Sequence, residues 1–139
     1  MGARLFTNLR DKQGLAYQIG SSYSALESAG HIFLYMGTHP ENKKRAYQGL
    51  LLEAKNISLE PPSDKEVEQA LNKTLGNFLL SHETLLAQAS YLARYEAAGL
   101  GYDYDEIFPE ELKKVTAIDI QNAARKYLQN GTIFIVGPN

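Results

Sequence analysis

The sequence predicts an α+β fold in which an antiparallel sheet is covered by several helices. Three observations predict it. Two runs of strand length, "LAYQIGSSYSA" (15–25) and "HIFLYMGT" (31–38), are separated by a few turn residues, as in a hairpin. Several segments with helical periodicity follow them. The order is helix, two strands, several helices and a last short strand, which is not the βαβα alternation of a parallel sheet.

Each element has its own signal. Residues 3–12 read as a short helix, with Leu5, Phe6 and Leu9 as its apolar stripe and Gly14 as the turn that ends it. In 15–25 the alternation puts Leu15, Tyr17, Ile19 and Tyr23 on one face and Ala16, Gln18 and Gly20 on the other. "LESAG" (26–30) is the turn into the second strand. Pro40 suits a first helical turn and Glu41 the positive end of a helix dipole, opening a helix through 58 with Ala46, Leu50 and Ala54 on one face. "LEPPS" (59–63) breaks it. "SDKE" (63–66) is a capping box for the next helix, whose stripe is Val67, Leu71, Leu75, Phe78 and Leu79. Helices at about 84–98 and 105–114 follow, and Thr116 caps "AIDIQNAARKYL", which stops at Gly131. "TIFIV" (132–136) reads as the last strand.

The chain of 139 residues fits one domain, 1–139, with no internal repeat or linker, and is long enough to bury a core without covalent staples. There is no cysteine, which excludes disulfides, thiolate nucleophiles and Cys-based zinc sites. A net charge of −2 gives no electrostatic footprint for nucleic acid or an anionic membrane. No apolar run approaches the roughly 18 to 20 residues that span a bilayer, and "MGARLFTNLRDKQ" lacks the apolar core of a signal peptide. That start reads as the interior of a folded domain, so an N-terminally truncated domain is expected. Compartment stays open: cytoplasmic, or periplasmic in a bacterium.

The search for chemistry finds no autonomous catalytic centre. His31, His39 and His82 do not pair at metal-ligand spacing. "HETLL" (82–86) begins like a zinc-protease motif but has Leu86 where the second histidine belongs, so His82 reads as a surface helix residue and His39 as the start of a helix. No glycine loop has the lysine of a nucleotide site, and no serine sits in a nucleophile elbow. The acidic cluster "YDYDEIFPEE" (102–111) reads as a solvated helix start, and Lys43, Lys44 and Arg45 as a wet helix face. Arg10 and Tyr17 are left. An arginine near a helix C-terminus is favoured by the dipole, and a tyrosine in phase with Leu15 and Ile19 covers a core, so residue chemistry alone leaves both structural.

The wording of successive segments adds a resemblance. "ARLFTNLRDKQGLAY", "SSYSALESAGHIFLYMGTHPENKKRA", "PPSDKEVEQALNKTLGNFLLS" and "VTAIDIQNAARKYLQNGTIFIVGP" resemble, in order, the C-terminal domain of the insulinase/pitrilysin family of zinc metallopeptidases, which includes the mitochondrial processing peptidases. The most specific pieces are "RLF…LR…GLAY" and the terminal "VGP". The resemblance implies a metallohydrolase-like fold lacking its first strand and helix. It implies that zinc sits on a His-x-x-Glu-His helix of a partner domain or subunit, with no cofactor or metal in this chain. It also implies that Arg10 and Tyr17 bind substrate peptide and assist the transition state in trans, while the chain alone is inactive. A scaffold subunit without proteolysis is the alternative within the family. The missing strand and helix lead to the further expectation that the chain associates with itself or a partner through an exposed sheet edge.

Overall fold

The computed structural model describes residues 2–25 and 29–137. Most of the expected turn at 26–30 and the closing residues 138–139 lie outside these. The described residues form two compact units, one of residues 1–61 with 121–139, the other of residues 62–120.

The first unit opens with an α-helical turn, Gly2–Leu5 (α1), which runs directly into a π-helical stretch, Phe6–Asp11. The bond from the Lys12 amide to the Thr7 carbonyl spans five residues, as π winding requires. Leu5 and Leu9 are fully buried, whereas Phe6, expected in the same stripe, is exposed. Two antiparallel strands follow, Gln18–Ala25 (β1) and Gly30–Gly37 (β2), with Gln18 opposite Gly37, Ile19 opposite Met36 and Ser21 opposite Leu34. Ile19, Leu34 and Met36 therefore share one face. They pack with Leu50 onto the buried cluster of Leu5, Leu9 and Leu15, which is the covered side of the hairpin.

A 3-10 turn, Pro40–Asn42, leads into Lys43–Leu59 (α2). α2 buries Ala46, Ala54 and Ile57 on one face, as its spacing predicts, together with one charge, Glu53. The last helix, Ala117–Tyr127 (α6), starts at a reciprocal box: the Asp119 amide donates to Thr116 Oγ1 at 3.2 Å and the Thr116 amide to the Asp119 carboxylate at 2.9 Å. From Gln121 on, α6 belongs to the first unit. There Gln121 donates to the Leu59 carbonyl at 2.9 Å and Arg125 to the Ser58 carbonyl at 2.8 Å, and these bonds fasten α6 to the end of α2.

Residues 132–136 are a correction. They form no strand, and Phe134 and Val136 are 81% and 97% exposed. The residue types are right for a strand, but a strand is defined by its ladder, and no described residue pairs with this segment.

The second unit is helical: Asp64–Ser81 (α3), Leu85–Ala97 (α4) and Tyr104–Lys113 (α5). The capping box at Ser63 and Glu66 is formed as the sequence predicts. Val67 is buried and Leu71, Leu75 and Phe78 are half-buried, but Leu79 is exposed. The interior is a chain of rings: Phe78 lies 4.3 Å from His82 and 4.9 Å from Phe108, His82 stacks on Tyr91 at 4.1 Å, and Tyr95 lies 5.0 Å from Tyr104.

His82 is thus not a surface residue. It terminates α3 with its Nδ1 2.7 Å from the Phe78 carbonyl, which turns the ring inward, and its side chain is 11% exposed. Its Nε2 lies 3.0 Å from Oδ1 of Asp105, within ion-pair distance but out of line for a hydrogen bond. Asp105, read from sequence as part of a solvated helix start, is drawn partly inside by the same contact. Among the described residues no helix is long and apolar enough to cross a membrane.

Candidate functional site

Arg10 and Tyr17 flank one turn. The turn that follows the π-helical stretch is closed by Gly14, whose φ of +62° is left-handed and suits a residue without a Cβ. The Gly14 amide donates to the Arg10 carbonyl and the Leu15 amide to the Leu9 carbonyl, both at 2.9 Å. Each bond spans one residue more than in the usual glycine-ended helix, as the wider winding demands. The turn is then tied to the end of β2. Thr38 Oγ1 donates to the Leu15 carbonyl at 2.5 Å, and the Tyr17 amide donates to the Gly37 carbonyl at 3.1 Å.

The two side chains emerge differently. The Arg10 guanidinium lies 4.5 Å over the Phe6 ring, a cation–π contact that uses the residue displaced from the core stripe. Tyr17 sits in a bend just before β1, so strand alternation does not bind it. Leu15 is buried and Ile19 packs on the core, as their shared phase predicts, but Tyr17 is 72% exposed. Its ring occupies the space a Gly37 side chain would take, with Cε2 2.6 Å and the phenol oxygen 3.0 Å from the position of such a Cβ. Gly37 pairs with Gln18, so that space lies on the side of the hairpin away from Ile19, Leu34 and Met36. Among the described residues no hydrogen bond joins Arg10 to Tyr17, and neither side chain is tied up in an ion pair or hydrogen bond with another described group.

Sequence reasoning read Phe6 as part of the apolar stripe and did not single out Gly37 or Thr38. Gly37 carried a signal: a glycine closing an apolar strand often marks a close approach of another group.

A family model described as the peptidase M16 inactive domain matches residues 1–74, the part that holds all of these residues. The chain belongs to this family. Over its whole length this M16 domain is 29% identical to an uncharacterized zinc protease of Rickettsia felis and, over 141 residues, 25% identical to one of Bacillus subtilis. It spans 34% of the length of each of these curated relatives. Among solved structures it is similar in fold to an inactive peptidase domain from Bordetella parapertussis, with TM-score 0.77 and 21% identity over 90% of this chain and 68% of that one. It is also similar to the peptidase M16 inactive domain from Pseudomonas fluorescens, with TM-score 0.79 and 20% identity over 89% of this chain and 29% of that one. Among the described residues of the M16 domain, no group of three or more His, Asp or Glu is placed to hold a metal ion. The donor set of the described residues therefore does not fit the zinc for which the relatives are named.

Proposed function

We propose that this M16 domain is the non-catalytic part of a zinc-dependent endopeptidase, closing over an active site carried by a zinc-bearing domain or subunit. It binds the backbone of a peptide substrate there. Cleavage of a peptide bond builds negative charge on the carbonyl oxygen. Tyr17 supplies a phenol donor and Arg10 a permanently charged guanidinium for that oxygen and the neighbouring backbone. Because both arrive with the closing domain, their stabilisation acts only on the assembled site.

The observation that carries this reading is the exposure of both donors, Tyr17 at 72%, on either side of one hydrogen-bonded turn, with the polar atoms of neither side chain hydrogen-bonded or ion-paired among the described residues. A scaffold subunit has no need of a donor pair held ready in this way, so the peptidase reading is preferred to the scaffold alternative. The test mixes the zinc-bearing domain or subunit with wild-type chain, Arg10→Ala or Tyr17→Phe. Each variant is expected to lower kcat by about 10² to 10³-fold. Unchanged kcat in both removes the assigned roles.

A further inference from the structure

The π-helical stretch that carries Arg10 is an unusual winding, and the face of α2 beneath it is built to hold it. π turns are rare and are kept where the surroundings impose them. Two contacts do so here, one helical turn apart on α2. At Gly49 a Cβ would fall 2.7 Å from Cδ2 of the fully buried Leu9, so Leu9 seats directly on the α2 backbone. At Glu53, a carboxylate only 6% exposed, Oε1 accepts a hydrogen bond from Asn8 Nδ2 at 3.1 Å. The other end of the Asn8 amide is also engaged, since Oδ1 accepts from Lys12 Nζ at 3.1 Å. The bonded residues 8 and 12 bracket Arg10.

A buried carboxylate is costly unless it is bonded, and a bond to a charged acceptor is stronger than a neutral one. Glu53 therefore favours the one register in which Asn8 faces it. Ordinary α winding of the same residues would displace everything after Asn8 by one position, or about 100° around the axis at 3.6 residues per turn. Phe6 and Arg10, four residues apart, remain neighbours in either winding, so that rotation would change how the guanidinium meets the ring and would carry Arg10 away from the side on which the chain turns back to Tyr17.

We infer that Glu53 is a positioning residue for Arg10, acting through Asn8 to hold the π register. The inference rests on the proposed role of Arg10, but its first test does not depend on activity. In the 139-residue chain, the Nε–H resonance of Arg10 should carry a ring-current shift from Phe6, abolished in Phe6→Leu. Glu53→Ala and Asn8→Asp should each change that shift, together with those of the Lys12 and Leu15 amides, whose bonds to the Thr7 and Leu9 carbonyls exist only in the π register. Glu53→Gln, which keeps an acceptor, should retain it. The double variant Asn8→Asp/Glu53→Gln, which reverses donor and acceptor, should restore it.

Arg10, Lys12 and Leu15 resonances unchanged in Asn8→Asp and Glu53→Ala overturn the inference. So does a double variant that regains the wild-type Tm without regaining the shift, because Glu53 is then only a structural contact. If Glu53→Ala does not fold, Asn8→Asp against the double variant decides alone. With the zinc-bearing part present, Asn8→Asp should lower kcat at unchanged KM, and should have no further effect in an Arg10→Ala background. An additional loss of kcat in that background overturns positioning through Arg10. Unchanged kcat in Arg10→Ala itself overturns the catalytic reading of Arg10, while the resonance still decides the positioning.

Discussion

A Cβ placed on Gly37 would lie 2.6 Å from Cε2 of Tyr17, so the phenol ring rests directly on the glycine backbone. The glycine is the seat of the side chain proposed to meet substrate, and the contact separates stability from function. In Gly37→Ala the ring must swing away. The displaced atoms are the far end of an exposed side chain, so the fold should lose less than about 1 kcal/mol, within the ordinary range for a substitution outside the core. The loss of kcat should approach that of Tyr17→Phe, and Gly37→Ala should add nothing in a Tyr17→Phe background. A Gly37→Ala chain with wild-type kcat would show that the seat is irrelevant.

Gly14 is under a different constraint. A side chain there meets open space, so only the left-handed backbone opposes it. Gly14→Ala should cost about 1 to 2 kcal/mol, the penalty of that conformation for a residue with a Cβ. Gly14→Asn should cost less, because asparagine tolerates it better. Equal denaturation midpoints for the three chains would remove the turn from the account.

Tyr95 predicts an alkaline limit for the helical unit. Burial, then the neighbouring Asp105 carboxylate, and after it Tyr91 and Tyr104, push the Tyr95 phenol well above its ordinary value. The folded state therefore holds this proton more tightly than the unfolded chain. The resulting stability is fully present below the unfolded value, near 10, and is lost as pH rises from there toward the folded value. Tyr95→Phe should flatten the fall in stability above about pH 10. A phenolate titration in which all nine tyrosines ionise together near the free value would contradict the shift.

The unpaired segment 132–136 and the two-stranded sheet carry the prediction of self-association. Phe134 and Val136 are 81% and 97% exposed, and among the described residues each strand of the hairpin has one neighbour. Exposed apolar residues and open sheet edges each favour pairing with a second copy. The elution volume should shift with dilution, and Phe134→Lys should weaken the association. A monomer unchanged across dilution would count against it.

Much of this was legible in the sequence because it depends on local chemistry. The hairpin, the Ser63 capping box and the Gly14 turn follow from residue types at fixed spacing. The rest depends on partners far along the chain. The π winding leaves no periodic signature in six residues, and nothing in the spacing shows that Phe6 leaves the stripe of Leu5 and Leu9 to sit under Arg10. Tyr17 could not be placed by alternation because the strand starts one residue after it. His82 looked like a surface residue because a helix end reveals nothing of the rings of Tyr91 and Phe78 that enclose it. The strand expected at 132–136 failed for the same reason in reverse: its residues suit a ladder that no described residue supplies.

The bonds across the Gly14 turn also fix what can be exchanged between homologous proteins. The carbonyls of Leu9 and Arg10 and the amides of Gly14 and Leu15 close the loop at one length, and Thr38 and Gly37 anchor its far side. The interval between Arg10 and Tyr17 is thus a ruler cut by backbone bonding, whatever side chains line it. A single-residue insertion between 11 and 13 should therefore be less tolerated than several simultaneous substitutions there. A chimera that imports this corner from a relative must carry residues 6–17 as one block, together with the two residues at the end of the second strand.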